Sequence, residues 1–199
     1  MSQTIKGIKP VHVTINHLEV EEGPVIEVIK SEKIDQFDEN TYAKLEDVSF
    51  KNGRIEVEVY SQILEDAPDF ARGFIGLAFR ISENDDYFES FYIRPTNGRT
   101  EDPIRRNRAI QYFAYPTYTF DYFREKGIMD YEGPADIGLD EWIHLAVELD
   151  NNVGRFYVNN DLVLTVEDLI HQPRAGNLGL FVDIGTRAYF KNITILERD

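Results

Sequence analysis

The chain has no cysteine, which excludes disulfides, thiolate metal sites and a cysteine nucleophile. It holds one tryptophan and two methionines, so large apolar packing falls to 13 phenylalanines and 11 tyrosines. No apolar run approaches the roughly 20 residues that a membrane-spanning helix requires, and no membrane partner is expected. The first ten residues lack the apolar core of a secretory signal, which leads to an expected cytoplasmic location. Basic side chains are the scarcer charge: 21 Lys and Arg stand against 36 Asp and Glu, a formal net charge of -15. Nucleic acid demands a broad basic face, so it is not an expected partner. The four histidines, His12, His17, His144 and His171, are scattered without metal-ligand spacing. Phosphate-binding loops, dinucleotide fingerprints and nucleophile elbows are absent too. No cofactor is expected. Aspartate-rich segments at 35–38 and 83–86 could hold structural calcium, although neither has the spacing of a ligand loop and solvated turns are the alternative.

What is present is period two. In residues 54–60 Ile55, Val57 and Val59 alternate with Arg54, Glu56, Glu58 and Tyr60, the pattern of a half-buried strand. Similar segments at 11–20, 24–30, 45–50, 73–82, 86–94, 109–114, 142–149, 154–159, 162–167, 177–184 and 187–196 bring the total to about a dozen strands. Asn52-Gly53, Asn97-Gly98, Asp150-Asn151-Asn152 and Asn159-Asn160 supply the positive-φ residues of tight hairpins. With 199 residues, 42% of them hydrophobic, the chain is expected to form a single all-β domain over 1–199, an antiparallel sandwich. Residues 115–141 form an aromatic connection about twice the usual loop limit, a length associated with function.

Charge and aromatic content concentrate at one place. Residues 94–108 carry five of the 13 arginines, and residues 112–123 carry seven aromatics. Guanidinium forks pair with carboxylates and hydroxyls, and aromatic faces cover the apolar faces of rings. Arg80, Tyr92 and Arg94 alternate against apolar neighbours, so all three are expected on one polar sheet face. The loop that follows adds Asn97, Arg99, Arg106 and Asn107, and the next strand adds Gln111 and Tyr112. Together these nine residues form a candidate ligand site suited to a sugar, and the arginine surplus favours an acidic one. An ion-pair network with Glu56, Glu58 and Glu89 is the structural alternative.

The C-terminal third reads Asp140-Glu141-Trp142-Ile143-His144-Leu145, then Gly154-Arg155-Phe156-Tyr157-Val158-Asn159, Gly176-Asn177-Leu178-Gly179-Leu180 and Phe190-Lys191-Asn192-Ile193. This order resembles concanavalin A-like lectin/glucanase domains, the laminin-G-like superfamily, over roughly residues 40–197. Residues 71–80, with Phe88-Glu89, 92–99, Arg106-Asn107 and Gln111-Tyr112, are similar to a bacterial group provisionally labelled glycosyl hydrolases, near the 3-keto-disaccharide hydrolase domain. The resemblance implies a jelly-roll sandwich whose concave sheet binds carbohydrate.

Retaining glucanases of the superfamily carry three acids at alternate positions of one strand. Here the series is Arg54, Glu56, Glu58, Tyr60, so one acid is replaced. Glu56 and Glu58 lie about 7 Å apart on one strand face, within range of a catalytic carboxylate pair. Two solvated glutamates are the alternative. Glu89 has the parity of core residues and is expected to pair with Arg72 or Arg80, or to act as a general acid if it lies in a cleft. A saccharide-binding domain is the leading expectation. A glycoside hydrolase or polysaccharide lyase using Glu56, Glu58 or Glu89 is the second, and a non-catalytic protein-interaction module is the third.

Overall fold

A computed structural model describes residues 7–32 and 34–198. In chain order its strands are β1 (Gly7–Val11), β2 (Val13–Val20), β3 (Gly23–Lys30), β4 (Tyr42–Phe50), β5 (Asn52–Ile63), β6 (Ile75–Ile81) and β7 (Phe88–Ile93). They continue as β8 (Ile110–Tyr115), β9 (Glu132–Gly133), β10 (Ile143–Asp150), β11 (Val153–Val158), β12 (Asp161–Val166), β13 (Gly176–Val182) and β14 (Thr186–Arg198). Two antiparallel seven-stranded sheets result. The first runs β1-β4-β13-β6-β7-β8-β9 and the second β12-β11-β10-β5-β14-β3-β2. No helix among the described residues is long and apolar enough to cross a membrane.

Alternation places the main core between the sheets. Ile55, Val57 and Val59 point inward from β5 and meet Leu145 and Val147 of β10, with Phe91, Leu180 and Phe156 among the facing residues. All the dozen predicted strands are present, but the first is divided. His12 takes φ 51°, and there the chain leaves β1 in one sheet and enters β2 in the other. Asn151, Asn159 and Asn160 have positive φ, as the tight β10–β11 and β11–β12 hairpins require. Asn52-Gly53 forms no hairpin: Gly53, at φ 129°, lies where the chain crosses from β4 in one sheet to β5 in the other. Asn97-Gly98 is different: it ends a one-turn helix, α1 (Pro95–Gly98), instead of forming a hairpin turn. Gly98 lies against the Ile137 backbone so closely that a β-carbon would sit 2.2 Å from the Ile137 carbonyl oxygen. A second short helix, α2 (Pro103–Arg106), starts at Asp102, whose carboxylate accepts from the Ile104 and Arg105 amides at 2.9 and 3.3 Å. The Asp-Pro pair is an N-cap followed by proline at the first helical position.

The outer face of the first sheet is roofed instead of open to solvent. Every residue of β7 is buried, because both faces of this strand are covered. Tyr42, Phe88, Tyr92, Phe113 and Phe181 form a second apolar layer there, with Phe74 and Phe123 packed onto it. Their rings meet mostly edge-on, as in Tyr42–Phe88 at 5.2 Å and Tyr92–Phe113 at 5.8 Å. The roof is the long connection after β8, which holds α3 (Phe120–Glu125) and packs Tyr118, Tyr122, Ile128 and Tyr131 downward. Its aromatics give this connection a small core of its own.

Candidate functional site

At one end of the roofed face the aromatic layer stops short, and a hollow of about 270 Å³ remains. Five arginines line it: Arg72 from the segment before β6, Arg94 at the end of β7, Arg105 of α2, Arg108 before β8 and Arg124 of α3. Phe37, Phe70, Phe74 and Phe120 form its apolar walls, and Asn97 completes the lining. Larger hollows of about 420 and 700 Å³ lie along the second sheet and contain none of the predicted site residues.

Arg94 is buried, and both of its terminal nitrogens are engaged. Its Nη1 donates to Glu132 Oε1 at 3.2 Å and to the Arg108 carbonyl at 3.1 Å. Its Nη2 donates to the Tyr92 hydroxyl at 2.8 Å and to Gln111 Oε1 at 3.1 Å. Glu132 also pairs with Arg124 at 2.6 Å and Arg108 at 3.5 Å, so one carboxylate serves three guanidinium groups. Asn97 holds the pocket's rim by donating to the Arg108 carbonyl at 3.0 Å and accepting from Arg105 Nε at 3.1 Å.

The predicted residues therefore divide. Arg94 and Asn97 line the hollow, while Tyr92 and Gln111 lie beneath it and fix the Arg94 fork. Arg99 turns away to Asp136 at 2.6 Å and Glu141 at 3.0 Å on the surface. Arg106 and Asn107 are exposed at the end of α2 and do not line the cavity. Arg80 is corrected outright. Asn177 pairs with Ile81 and Gly179 with Ala78, so β6 carries one extra residue, and Arg80 in this bulge takes φ 52°. The bulge reverses parity: Phe79 faces the main core, Ile81 joins the outer layer, and Arg80 is buried among the first instead of sharing a face with Tyr92 and Arg94.

Glu89 and Tyr112 are there with it. Arg80 Nη1 lies 3.6 Å from Glu89 Oε2, and the Tyr112 hydroxyl donates to Glu89 Oε1 at 2.5 Å. The same hydroxyl accepts from the Ile170 amide at 3.0 Å. Burial raises the Glu89 pKa and lowers that of Arg80, each opposed by the partner. Neither Glu89 nor Tyr112 reaches the hollow. Glu56 and Glu58 do share one face, but it is the outer face of the second sheet. Glu56 accepts from Arg54 at 2.7 Å and lies 4.0 Å from His144, and Glu58 accepts from Asn192.

Arg72, Arg105, Arg108 and Arg124 complete the guanidinium ring, although none was among the nine candidate residues. Arg105 and Arg108 belong to the 94–108 cluster, whereas Arg72, Arg124, Phe37 and Phe70 reach the hollow only through tertiary structure. The aspartate-rich segments are engaged in structural contacts. Asp85 accepts from Lys44 at 2.9 Å and from Tyr42 at 3.0 Å, and Asp86 accepts from Ser82 at 2.6 Å. Among the described residues no group of three or more His, Asp or Glu side chains is placed to hold a metal ion.

Asp38 pins the roof to the sheet. Its Oδ2 accepts from the Phe120 amide at 2.8 Å, while its own amide donates to Asp183 Oδ2 at 2.9 Å. Burial, with Asp183 alongside, pushes its carboxyl up to about 7, against smaller opposing effects from the Phe120 amide, Arg94 and Tyr92. The folded state therefore keeps a proton that the unfolded chain releases near 3.8. This contribution is complete below that value and is lost as pH rises through about 7. Asp38→Asn is expected to match the parent at pH 4 and to exceed it at pH 8 by about 2–4 kcal/mol. Urea unfolding of both chains across that range checks this, and a difference independent of pH would contradict it.

No protein-family model matches the chain, and no curated protein matches it in sequence. Solved structures do. The carbohydrate binding module CBM66 from Bacillus subtilis superposes with TM-score 0.57 at 14% identity, covering 92% of this chain and 94% of that one. A provisionally assigned glycosyl hydrolase from Parabacteroides distasonis gives TM-score 0.54 at 14% identity, covering 97% and 100%. A second such protein from the same organism gives 0.53 at 14% identity, covering 98% and 85%. These likenesses establish the fold, the antiparallel jelly-roll sandwich of the concanavalin A-like type.

Proposed function

We propose that this chain is a saccharide-binding module that takes an acidic sugar into the guanidinium–phenylalanine hollow. The observation that carries the reading is the composition of that lining: five arginines, one asparagine and four phenylalanines, without a single carboxylate. On a chain of net charge -15 this is a local reversal of sign, and such a hollow favours an anion over a neutral molecule. Phenylalanine walls suit the apolar face of a sugar ring, and arginine forks suit its carboxylate. The fold is shared with a carbohydrate binding module and with provisionally assigned hydrolases, and fold alone does not select between them.

The placement of the carboxylates favours binding over cleavage. Glycoside hydrolysis needs two carboxyl groups flanking the bond. Glu56 and Glu58 lie on the opposite sheet, and Glu89 is sealed between the sheets with Arg80. Thermal unfolding with and without sugars tests the reading. D-glucuronate and D-galacturonate at tenfold over Kd are expected to raise Tm by roughly 3–5 °C, while D-glucose leaves it unchanged. Glu56→Gln/Glu58→Gln is expected to retain the whole shift. Equal shifts with neutral and acidic sugars, or none with either, would refute an acidic-sugar site.

A further inference from the structure

The five arginines are not equivalent: they differ in whether a carboxylate stands beside them. Glu132 pairs with Arg94, Arg108 and Arg124 at 3.2, 3.5 and 2.6 Å, one negative charge shared among three cations. Arg72 and Arg105 have no such partner: among the described residues no carboxylate lies within 4 Å of either. Arg72 donates through Nη1 alone, to the backbone carbonyls of Asp69 and Ala71 at 2.7 and 2.9 Å. Arg105 donates through Nε to Asn97 and through Nη2 to Thr96, all neutral acceptors. Arg72 Nε and Nη2 and Arg105 Nη1 thus keep donors that no described protein group accepts.

The two groups also crowd each other. Burial, then the nearby charges of Arg105 and Arg94, lower the Arg72 pKa. The chain has 36 acidic side chains from which partners could be drawn. Holding like charges together in a partly desolvated hollow without one is unfavourable to folding, and it is the arrangement expected where a ligand supplies the missing charge.

We propose, on the basis of the saccharide reading above, that Arg72 and Arg105 form the carboxylate seat and that the ligand is a single uronic acid residue. A cavity of about 270 Å³ lies at the small end of ligand pockets, enough for one ring. With the carboxylate between the free Nε/Nη2 edge of Arg72 and Nη1 of Arg105, the ring lies along the wall formed by Phe37, Phe70 and Phe120. Arg94, Arg108 and Arg124 share the single negative charge of Glu132 and form the cationic floor, where Arg108 Nε and Arg124 Nε also lack a hydrogen-bond acceptor.

Calorimetric titration of the full chain with D-glucuronate tests this, with D-glucose and a polyglutamate peptide as comparison probes. The parent is expected to bind D-glucuronate and to bind D-glucose at least tenfold more weakly. Arg72→Gln/Arg105→Gln is expected to weaken D-glucuronate at least tenfold while its Tm equals or exceeds the parent's, since a like-charge contact is relieved. Arg72→Lys/Arg105→Lys, which keeps charge but not the fork, is expected to fall between. If the double variant fails to fold, the single Arg105→Gln is measured instead, with a loss of at least threefold expected. D-glucuronate binding unchanged in the folded Gln variants would overturn the seat while leaving the saccharide reading intact. A parent that binds neither sugar would overturn the reading itself, as would one that binds polyglutamate but not D-glucuronate.

Discussion

Arg94→Ala is expected to lower stability by about 3–5 kcal/mol and Tm by roughly 6–20 °C. The side chain makes four hydrogen bonds from complete burial, to Glu132, the Arg108 carbonyl, the Tyr92 hydroxyl and Gln111. Its guanidinium also lies 5.0 Å from the Tyr92 ring centre and 5.5 Å from that of Phe120. Truncation leaves the Gln111 oxygen without this donor in an enclosed site and opens a cavity under α3. Glu132 keeps Arg108 and Arg124, which limits the loss. Sugar binding is expected to disappear with the floor of the hollow. Urea unfolding measures the first effect and titration the second. A loss below 1 kcal/mol would mean that the network under the hollow is not what holds the roof. The contrast with Arg72 and Arg105 is diagnostic, since removing those is expected to cost binding without stability.

Glu89→Ala is expected to cost a similar amount, about 3–5 kcal/mol, because it leaves the Arg80 charge buried without its counterion. Arg80 does more than neutralise Glu89. Its Nη2 donates to the Lys51 carbonyl at 3.0 Å and to the Asn151 carbonyl at 2.7 Å. Lys51 lies where the chain crosses from β4 in the first sheet to β5 in the second, and Asn151 lies in the β10–β11 hairpin of the second sheet. One guanidinium thus ties that crossing and that hairpin to β6 of the first sheet. Arg80→Met is therefore expected to be at least as damaging as Glu89→Ala. Arg80→Met/Glu89→Leu is expected to lose less than the sum of the single changes, since no charge is left unmatched. Additive losses in that cycle would show that the two residues act independently. None of these changes is expected to alter sugar affinity in chains that remain folded, because the pair does not reach the hollow.

The strand pattern of this chain was legible because residues such as Ile55, Val57 and Val59 alternate without interruption. The arginine cluster was legible as a site because five guanidiniums within 15 residues stand out on an acidic chain. What sits over a face was not legible: alternation reports which side Tyr92 takes, not whether that side meets solvent or another layer. A seven-residue strand such as β6 reads alike with and without a bulge, so the inward turn of Arg80 left no signal until its partner β13 was in place. Arg72, Phe37 and Phe70 reach the hollow from segments with no local pattern at all. The Asp102-Pro103 pair was a signal that could have been used. It marks a helix start and would have turned Arg105 toward Asn97 within the cluster.

The acidic-sugar reading rests on the cation-lined, ring-walled hollow under the end of α3. The most direct test is a crystal structure of the chain grown with D-glucuronate. One sugar is expected in the hollow, its carboxylate between the Arg72 and Arg105 guanidiniums and its ring along Phe37, Phe70 and Phe120. A sugar bound over Glu56 and Glu58 on the second sheet, or an empty hollow in crystals saturated with D-glucuronate, would contradict it.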